Sequence, residues 1–268
     1  MSLLLFDVDG TLVSYDNVVP KSTIEAFNKA RENGHKIVVV TGRTLFRALP
    51  HKDLKVDGYI CGNGAYIEVD HKILKDLSLP LEVTSKVVDY LDQHHLSYFL
   101  EGNGGIYGSP HFDTLAIPTY EKYGIKNPDI RKLYPDMTFP ENRHLKGITK
   151  VNYILNSYQD YLDFKKVFNG YQCLTWGGQG EEALFGDCAT KGIDKFKAVK
   201  ELIEYLEVDK KDIYAFGDAE VDIPLFEAAG TSVCVGSGRE KAKEAATYIT
   251  DDVKEDGIYN AMKHFNLI

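Results

Sequence analysis

The sequence lacks the marks of a disulfide-stabilised, zinc-stabilised or membrane-spanning protein. Its 268 residues have no CxxC pair and no histidine at zinc-finger spacing, and the few cysteines lie far apart: Cys61, Cys173, Cys188 and Cys234. No apolar run approaches the roughly 20 residues that a transmembrane helix needs. The residues before Asp7 are too few for the apolar region of a signal peptide. We therefore expect a soluble, cytoplasmic protein.

Basic residues are also in deficit. Lys and Arg number 31 against 40 Asp and Glu, which gives a formal net charge of −9. At long range this charge repels a polyanion such as DNA, and this disfavours sequence-independent nucleic-acid binding. The 44% hydrophobic composition is typical of a folded globular chain. We expect a monomer with neither nucleic acid nor a membrane as a partner.

Short apolar runs predict buried strands near the start of the chain. Residues 2–6 form one such run, which stops at Asp7, and residues 36–40 form a second. Between them, residues 22–33 carry apolar positions at helical spacing and are followed by Gly34, which is typical of a helix C-terminus. A strand, a helix and a strand in this order predict a parallel βαβ unit.

The same pattern returns near the end of the chain, whereas the middle differs. A helical pattern over residues 193–206 and apolar runs at residues 213–216 and 232–235 predict further units of the same sheet. Between residues 79 and 186, alternating strands and a hairpin around Asn103-Gly104 indicate an α+β arrangement.

We therefore predict an α/β fold, a doubly wound parallel-sheet core with an inserted α+β domain. The core comprises residues 1–78 and 187–268, and the insertion comprises residues 79–186. The residues alone leave open the alternative of one continuous large sheet.

Acidic residues follow two of the predicted buried strands. Asp7 and Asp9 follow the first, and Asp218 and Asp222 follow the strand at 213–216. Because the carboxyl ends of parallel strands lie at one edge of a sheet, these side chains are expected to converge. Carboxylates this close imply a bound cation or a shared proton, and oxygen ligands without His or Cys favour Mg²⁺. Taken singly, each cluster also fits a turn or helix start at which Asp caps backbone N–H groups.

Two further segments predict a binding site for phosphate oxygens. Thr41 and Gly42 end the second strand and offer a hydroxyl and backbone N–H groups, with Gly42 allowing close approach. Lys191 lies at a predicted helix start, where a cation opposes the helix dipole unless an anion compensates it. That misfit favours a role for Lys191 in binding an anion.

These segments together resemble the four ordered motifs of the haloacid dehalogenase superfamily: Asp7-Val8-Asp9-Gly10-Thr11, Thr41-Gly42-Arg43, Lys191-Gly192, and Gly217-Asp218 with Asp222. Within it, the chain resembles the Cof-type sugar phosphatases, in which a large α+β cap is inserted between the second and third motifs. The resemblance implies that the outer segments form a Rossmann-like catalytic core and that residues 79–186 form the substrate-selecting cap.

The resemblance also implies a role for each motif residue. Asp7 would be the nucleophile that forms an aspartyl-phosphate, and Asp9 the general acid and then the general base. Mg²⁺ would be held by Asp7, the Asp9 main-chain carbonyl and Asp218, with Asp222 steadying its waters. The phosphoryl group would be bound by three further residues, Thr41, Gly42 and Lys191.

The chain departs from the family pattern at Val221. Family members usually carry Asn immediately before the last Asp of the fourth motif, where it reaches the phosphate. Valine cannot form this hydrogen bond, whose loss would cost about 0.5–1.5 kcal/mol.

The sequence therefore predicts a Mg²⁺-dependent phosphatase of small phosphorylated metabolites such as hexose phosphates. Two alternatives remain open. The same residues would serve a sugar phosphomutase or phosphotransferase that passes the phosphoryl group to another sugar. A non-catalytic sugar-phosphate-binding module is supported only by Val221.

Overall fold

Residues 1–14, 18–48 and 53–268 are described by the structure, a computed structural model, and they divide into two units. The first unit comprises Met1–Asp76 and Asp194–Ile268, and the second comprises Leu77–Ile193. The second boundary lies later than the predicted one at residue 186 because Phe185–Ala189 is a strand of the second unit's own sheet. The described residues form two sheets, not one continuous sheet.

The strands, numbered along the chain, are β1 (Leu3–Phe6), β2 (Lys36–Val40), β3 (Gly58–Cys61), β4 (Tyr66–Val69), β5 (Lys72–Asp76), β6 (Tyr98–Gly102), β7 (Gly105–Gly108), β8 (Met137–Thr138), β9 (Ile148–Ile154), β10 (Gln172–Trp176), β11 (Phe185–Ala189), β12 (Ile213–Gly217), β13 (Thr231–Cys234) and β14 (Tyr248–Ile249).

The α-helices are α1 (Lys21–Glu32), α2 (Leu45–Ala48), α3 (Leu81–Gln93), α4 (Phe112–Leu115), α5 (Ile117–Lys122), α6 (Ile130–Leu133), α7 (Tyr158–Val167), α8 (Lys195–Leu206), α9 (Ile223–Ala228), α10 (Glu240–Ala245) and α11 (Gly257–His264). None of these described helices has both the length and the apolar character needed to cross a lipid bilayer.

The first unit contains an eight-stranded sheet in the order β14-β13-β12-β1-β2-β3-β4-β5. Pairs from β14 to β3 are parallel, and the β3–β4 and β4–β5 pairs are antiparallel. The chain moves outward from β1 to β3 on one side and from β12 to β14 on the other. This is the predicted doubly wound arrangement, with an additional β4–β5 hairpin at one edge that the sequence patterns did not indicate.

Strand β1 is apolar throughout because both faces of the sheet are covered. Leu4 and Phe6 belong to the hydrophobic cluster on one face, and Leu3 and Leu5 belong to the cluster on the other. All four side chains are fully buried. A run without polar alternation is therefore what a central parallel strand requires, and it places the residue after Phe6 at the carboxyl edge.

The second unit contains a six-stranded sheet in the order β10-β11-β9-β6-β7-β8. All its pairs are antiparallel except β7–β8. Leu100 on β6 packs in one cluster with helices α3 and α7, whereas the adjacent Phe99 packs with α4, α5 and α6. Because neighbouring residues of a strand point to opposite faces, each face has its own helical layer.

Candidate active site

The carboxyl ends of β1 and β12 bring acidic side chains together. The Asp7 backbone N–H donates to the Phe216 carbonyl at 3.0 Å, which continues the parallel β1–β12 pairing and places Asp7 beside the end of β12. One carboxylate oxygen each from Asp7, Asp218 and Asp222 lies within 4.8 Å of the other two. The structure thus brings together three of the four predicted acidic residues as the parallel topology requires.

A glycine allows one of these acids to approach the chain after β1. Gly10 has φ +90°, and a Cβ atom placed on it would lie 2.3 Å from Asp218 Oδ2. The adjacent Thr11 hydroxyl donates to Asp218 Oδ1 at 3.3 Å. A residue with a side chain at position 10 would therefore clash with the carboxylate as well as strain the backbone.

Asp222 organises the turn that follows β12. It is fully buried, and its Oδ2 accepts hydrogen bonds from the backbone N–H groups of Asp218 at 3.1 Å and Ala219 at 3.2 Å. Asp222, and not Asp218, is therefore the residue that caps backbone N–H groups here. Its other oxygen, Oδ1, is left to face the acidic cluster.

Lys195 supplies the cation that contacts the cluster. Its ammonium lies 2.8 Å from Asp7 Oδ1 and 2.9 Å from Asp222 Oδ1. Lys195 is the first residue of α8, and the preceding Asp194 is the N-cap of that helix. Gly64 lets the helix start approach closely, since a Cβ atom there would lie 2.7 Å from the Asp194 carbonyl oxygen. The N-terminal turn of α8 thus sets the position of the ammonium.

The structure does not place Lys191, the lysine chosen from the sequence, with these acids in the first unit. Lys191 belongs to the second unit, where its ammonium donates to the Asn169 carbonyl at 2.6 Å. The prediction for Lys191 depends on a helix that begins at that residue, but α8 begins at Lys195. The sequence does contain an indication of the true helix start, because Asp194, a preferred N-cap residue, lies immediately before Lys195.

Charge and burial together perturb the ionisable groups. Burial, reinforced by the Asp222 and Asp218 charges and opposed by Lys195, raises the pKa of Asp7 to about 7. Burial and the Asp222 charge raise the pKa of Asp218 to about 6. Burial alone would lower the pKa of Lys195, but the Asp7 and Asp222 carboxylates raise it. Three carboxylates with one ammonium leave excess negative charge, so this oxygen-only donor set fits a hard divalent cation.

Asp9 lies outside the buried cluster and is held by Arg43. The Arg43 Nε donates to Asp9 Oδ2 at 3.0 Å, and its Nη2 donates to Asp9 Oδ1, which is a two-pronged ion pair. The Asp9 side chain is 63% exposed. Arg43 is not among the site residues predicted from the sequence. Its position shortly after β2, the strand that pairs with β1, was the feature of the sequence that could have indicated a place near Asp9.

The segment after β2 holds the two predicted phosphate-binding residues. Thr41 is buried, and its hydroxyl accepts a hydrogen bond from the Arg43 backbone N–H at 3.1 Å. Asn63, which has φ +56°, donates its backbone N–H to the Thr41 carbonyl at 3.1 Å. A Cβ atom on Gly42 would lie 3.0 Å from Asn63 Oδ1, so the Asn63 amide borders Gly42. Asn63 is thus a further polar residue at this strand end.

Val221 is 71% exposed. It lies in the 3₁₀ turn Glu220–Asp222, immediately before the buried Asp222. A polar side chain at this position would remain exposed to solvent, whereas valine offers no hydrogen-bonding group there.

Comparisons with known proteins agree on one family. The profile of the haloacid dehalogenase-like hydrolase family matches residues 4–262. YkrA of Bacillus subtilis is 26% identical over 99% of this chain and 98% of its own length. The pyridoxal phosphate phosphatase YbhA of Escherichia coli is 25% identical over 96% of this chain and 95% of its own. The solved structure of the subclass IIB sugar phosphatase BT4131 has a TM-score of 0.66 and 26% identity, and both chains are covered completely (100%).

Proposed function

This chain belongs to the haloacid dehalogenase-like hydrolase family, and we propose that it is a Mg²⁺-dependent phosphatase that hydrolyses small phosphorylated metabolites, sugar phosphates in particular, through an aspartyl-phosphate. Phosphatase activity itself follows from the family and its named relatives. The observation that carries the finer proposal is the convergence of Asp7, Asp218 and Asp222, with Lys195 bridging Asp7 and Asp222.

In the first step, a carboxylate oxygen of Asp7 attacks the phosphorus atom of the substrate. A P–O bond to Asp7 forms, and the P–O bond to the leaving group breaks. Asp9, two residues on, donates a proton to the leaving-group oxygen. Lys195 orients Asp7 by its 2.8 Å contact and keeps positive charge beside the transferring group.

In the second step, water attacks the phosphorus of the aspartyl-phosphate. Asp9, now ionised, takes a proton from that water, and the P–O bond to Asp7 breaks to restore the free carboxylate and release inorganic phosphate. Arg43 contacts both Asp9 carboxylate oxygens through two N–H donors, which positions this carboxylate beside the end of β1.

The metal site fits the residues that are present. Asp7 and Asp218 would bind Mg²⁺ together with the Asp9 main-chain carbonyl, and Asp222 would support it by fixing the Asp218 backbone and binding the metal's waters. When bound, Mg²⁺ neutralises developing charge on the phosphoryl oxygens. A cation would also offset the mutual repulsion that, with burial, raises the pKa values of Asp7 and Asp218.

We assign phosphate binding to Thr41, Gly42 and Lys195, with Lys195 in place of Lys191. Thr41 and Gly42 lie at the end of β2, next to β1, and offer a hydroxyl and a backbone N–H group. Lys191 has no support from the geometry for this role, because its ammonium is engaged by the Asn169 carbonyl.

The substrate class is supported by similarity rather than by a bound molecule. BT4131 is described as a sugar phosphatase and YbhA as a pyridoxal phosphate phosphatase, and both substrates are small phosphomonoesters. The second unit, Leu77–Ile193, is proposed as the cap that selects among such compounds.

Release of inorganic phosphate from a panel of sugar phosphates with Mg²⁺ tests the proposal. We expect Asp7→Asn to lower turnover at least about 1,000-fold, because the amide cannot act as the nucleophile. The matched control is Asp57→Asn at the opposite end of the sheet, where Asp57 pairs with Arg31. That variant should lose stability but keep kcat within about twofold.

Three outcomes would contradict the proposal. Undiminished phosphate release by Asp7→Asn would exclude Asp7 as the nucleophile. Stoichiometric isomerisation of a sugar phosphate without phosphate release would indicate a phosphomutase. Tight Mg²⁺-dependent binding without turnover across the panel would indicate a binding module.

A further inference from the structure

Two of the four cysteines face each other in the second unit. Cys173 on β10 and Cys188 on β11 are register partners in the antiparallel pair. Both are buried in the same hydrophobic cluster, and the Cys173 thiol donates a hydrogen bond to the Phe168 carbonyl at 3.7 Å. Residues directly opposite in such a pair have Cα atoms about 4.5–5.5 Å apart, which lies within the range that a disulfide spans. The fold therefore places the two thiols on register partners whose Cα separation is one that a disulfide spans.

A cavity gives small molecules access to one of the two thiols. It has a volume of about 470 Å³, and its lining includes Cys173, Lys165 and Lys191 but no acidic residue. Cys188 is fully buried and is not part of the lining. Lys191, which has no assigned role in the phosphatase site, contributes its side chain to the lining of this cavity. A reagent would therefore meet Cys173 first, in a positively charged surrounding.

The electrostatics distinguish the two thiols in the same order. The nearby Cys188 thiol, together with the charges of Lys165 and Lys191, lowers the pKa of Cys173 against the opposing effects of its burial and of the Asp187 charge. The nearby Cys173 thiol and burial raise the pKa of Cys188. Since the thiolate is the nucleophile, Cys173 is the thiol expected to react with an oxidant, and Cys188 the one that follows.

We propose that Cys173 and Cys188 form a redox-active dithiol, which a hydroperoxide oxidises to a reversible intramolecular disulfide. The Cys173 sulfur attacks one peroxide oxygen, the O–O bond breaks, and Cys173 becomes a sulfenic acid while the other oxygen leaves as water or an alcohol. The Cys188 sulfur then attacks the Cys173 sulfur, and the hydroxyl leaves as water with the Cys188 proton. The two thiols together lose two electrons and the peroxide gains two.

Cross-strand geometry explains why this disulfide would be easily reduced. Opposite Cβ atoms in a sheet lie about 4.5–5.5 Å apart, whereas a relaxed disulfide prefers about 3.8 Å. Closing this gap strains the sheet, and strained disulfides are the labile ones. Reduction by a dithiol should therefore restore both thiols.

The remaining two cysteines serve as internal controls. Cys61 is paired in register with Tyr66, and Cys234 is paired with Gly217 and Ile249. Burial raises the pKa of both thiols, that of Cys234 to about 11. Buried, protonated thiols without a thiol opposite them are expected to resist mild oxidation.

The test treats the full-length protein with a small excess of hydrogen peroxide and counts its free thiols after denaturation. We expect the count to fall from four to two, the mass to fall by about 2 Da, and a peptide map to join Cys173 to Cys188. Dithiothreitol should restore all four thiols. Four remaining thiols, or a disulfide that includes Cys61 or Cys234, would overturn the proposal.

Variants test the order of the two steps. With Cys188→Ser, a dimedone probe should label Cys173 as a sulfenic acid and no intramolecular disulfide should form. With Cys173→Ser, neither product should form, whereas Cys234→Ser should form the disulfide as the unmodified protein does. Dimedone labelling of Cys188 in the Cys173→Ser protein as fast as the labelling of Cys173 in the Cys188→Ser protein would contradict the assigned order. Since the readouts are thiol counts and masses, they are independent of phosphatase activity.

Discussion

The two sheets of this protein differ in where they place the polar residues that follow their strands. In the first unit, β1, β2 and β12 are parallel neighbours, and the residues that follow them include the catalytic candidates Asp7, Thr41 and Asp218. In the second unit the strands are mainly antiparallel, so successive strand ends lie at opposite edges. A parallel sheet therefore gathers short polar segments from distant parts of the chain at one edge, whereas an antiparallel sheet separates them.

The difference between the two units is illustrated by two lysines, Lys195 and Lys191. Lys195 lies in the first unit between two buried carboxylates, and Lys191 lies in the second unit against a carbonyl oxygen. We expect Lys195→Met to lower kcat by about 100- to 1,000-fold, because the charge beside the transferring phosphoryl group is lost. Lys191→Met should change kcat less than about twofold. Steady-state phosphate release at saturating Mg²⁺ measures both, and a larger loss for Lys191→Met would reverse the assignment.

Substitutions at Gly10 and Gly34 distinguish the effect of a clash in the candidate site from the effect of backbone strain alone. Both have positive φ, but a Cβ atom on Gly10 would clash with Asp218, whereas one on Gly34 would meet nothing within 4 Å. We expect Gly10→Ala to lower kcat/KM about 100-fold by displacing Asp218. Gly34→Ala should only destabilise the fold by about 1 kcal/mol. Equal kinetic effects in the two variants would mean that backbone strain alone is responsible.

The acidic cluster should make the metal-free protein less stable as the pH rises. Asp7 and Asp218 have pKa values of about 7 and about 6, above their ordinary value of 3.8. Between about pH 4 and pH 7 the folded state therefore keeps protons that the unfolded chain has lost, and the free energy of unfolding falls as the pH increases.

Thermal unfolding with EDTA should show this as a lower Tm at pH 8 than at pH 5, with Mg²⁺ restoring stability at pH 8. Asp218→Asn removes one of the repelling charges, so we expect it to raise the metal-free Tm at pH 8 by about 2–4 °C and to weaken the response to Mg²⁺. A Tm of the unmodified protein that rises from pH 5 to pH 8 in EDTA would contradict this account.

The smallest expected effect is at Val221. Its side chain is mostly exposed, so asparagine should fit there without disturbing the packing. If the amide forms the phosphate contact that valine cannot make, Val221→Asn should raise kcat/KM about 3- to 10-fold. Val221→Thr, which keeps the shape but has a shorter polar group, is the matched control. An unchanged or lower kcat/KM for the asparagine variant would show that an amide at this position adds no phosphate contact.

Much of the first unit could be predicted because the signals are local. The apolar run before Asp7 and the helix cap at Gly34 both depend on residues close in sequence, and the structure has β1 and α1 at these places. The confirmed family resemblance likewise depends on short motifs. The Arg43–Asp9 ion pair was not predicted, because it joins residues 34 positions apart through the β1–β2 pairing.

The lysine assignment had a different cause. Two lysines precede or begin the same helix, and composition alone does not distinguish them. Which one reaches the acids depends on where the helix starts and on how closely Gly64 lets it approach. The second unit ends later than the predicted insertion for a related reason, since the pairing of β11 with β9 decides which unit contains β11.

The sequence by itself determined the buried parallel strands, the order of the four motifs and the acidic residues that follow β1 and β12. These features can be recognised from apolar runs in the sequence and from the polar residues that end those runs. Only the tertiary structure decided that Lys195 pairs with Asp7 and Asp222, and that Cys173 lies opposite Cys188. Such contacts join residues far apart in the chain, and their distances are set by helix starts and strand register, which single residue types do not encode.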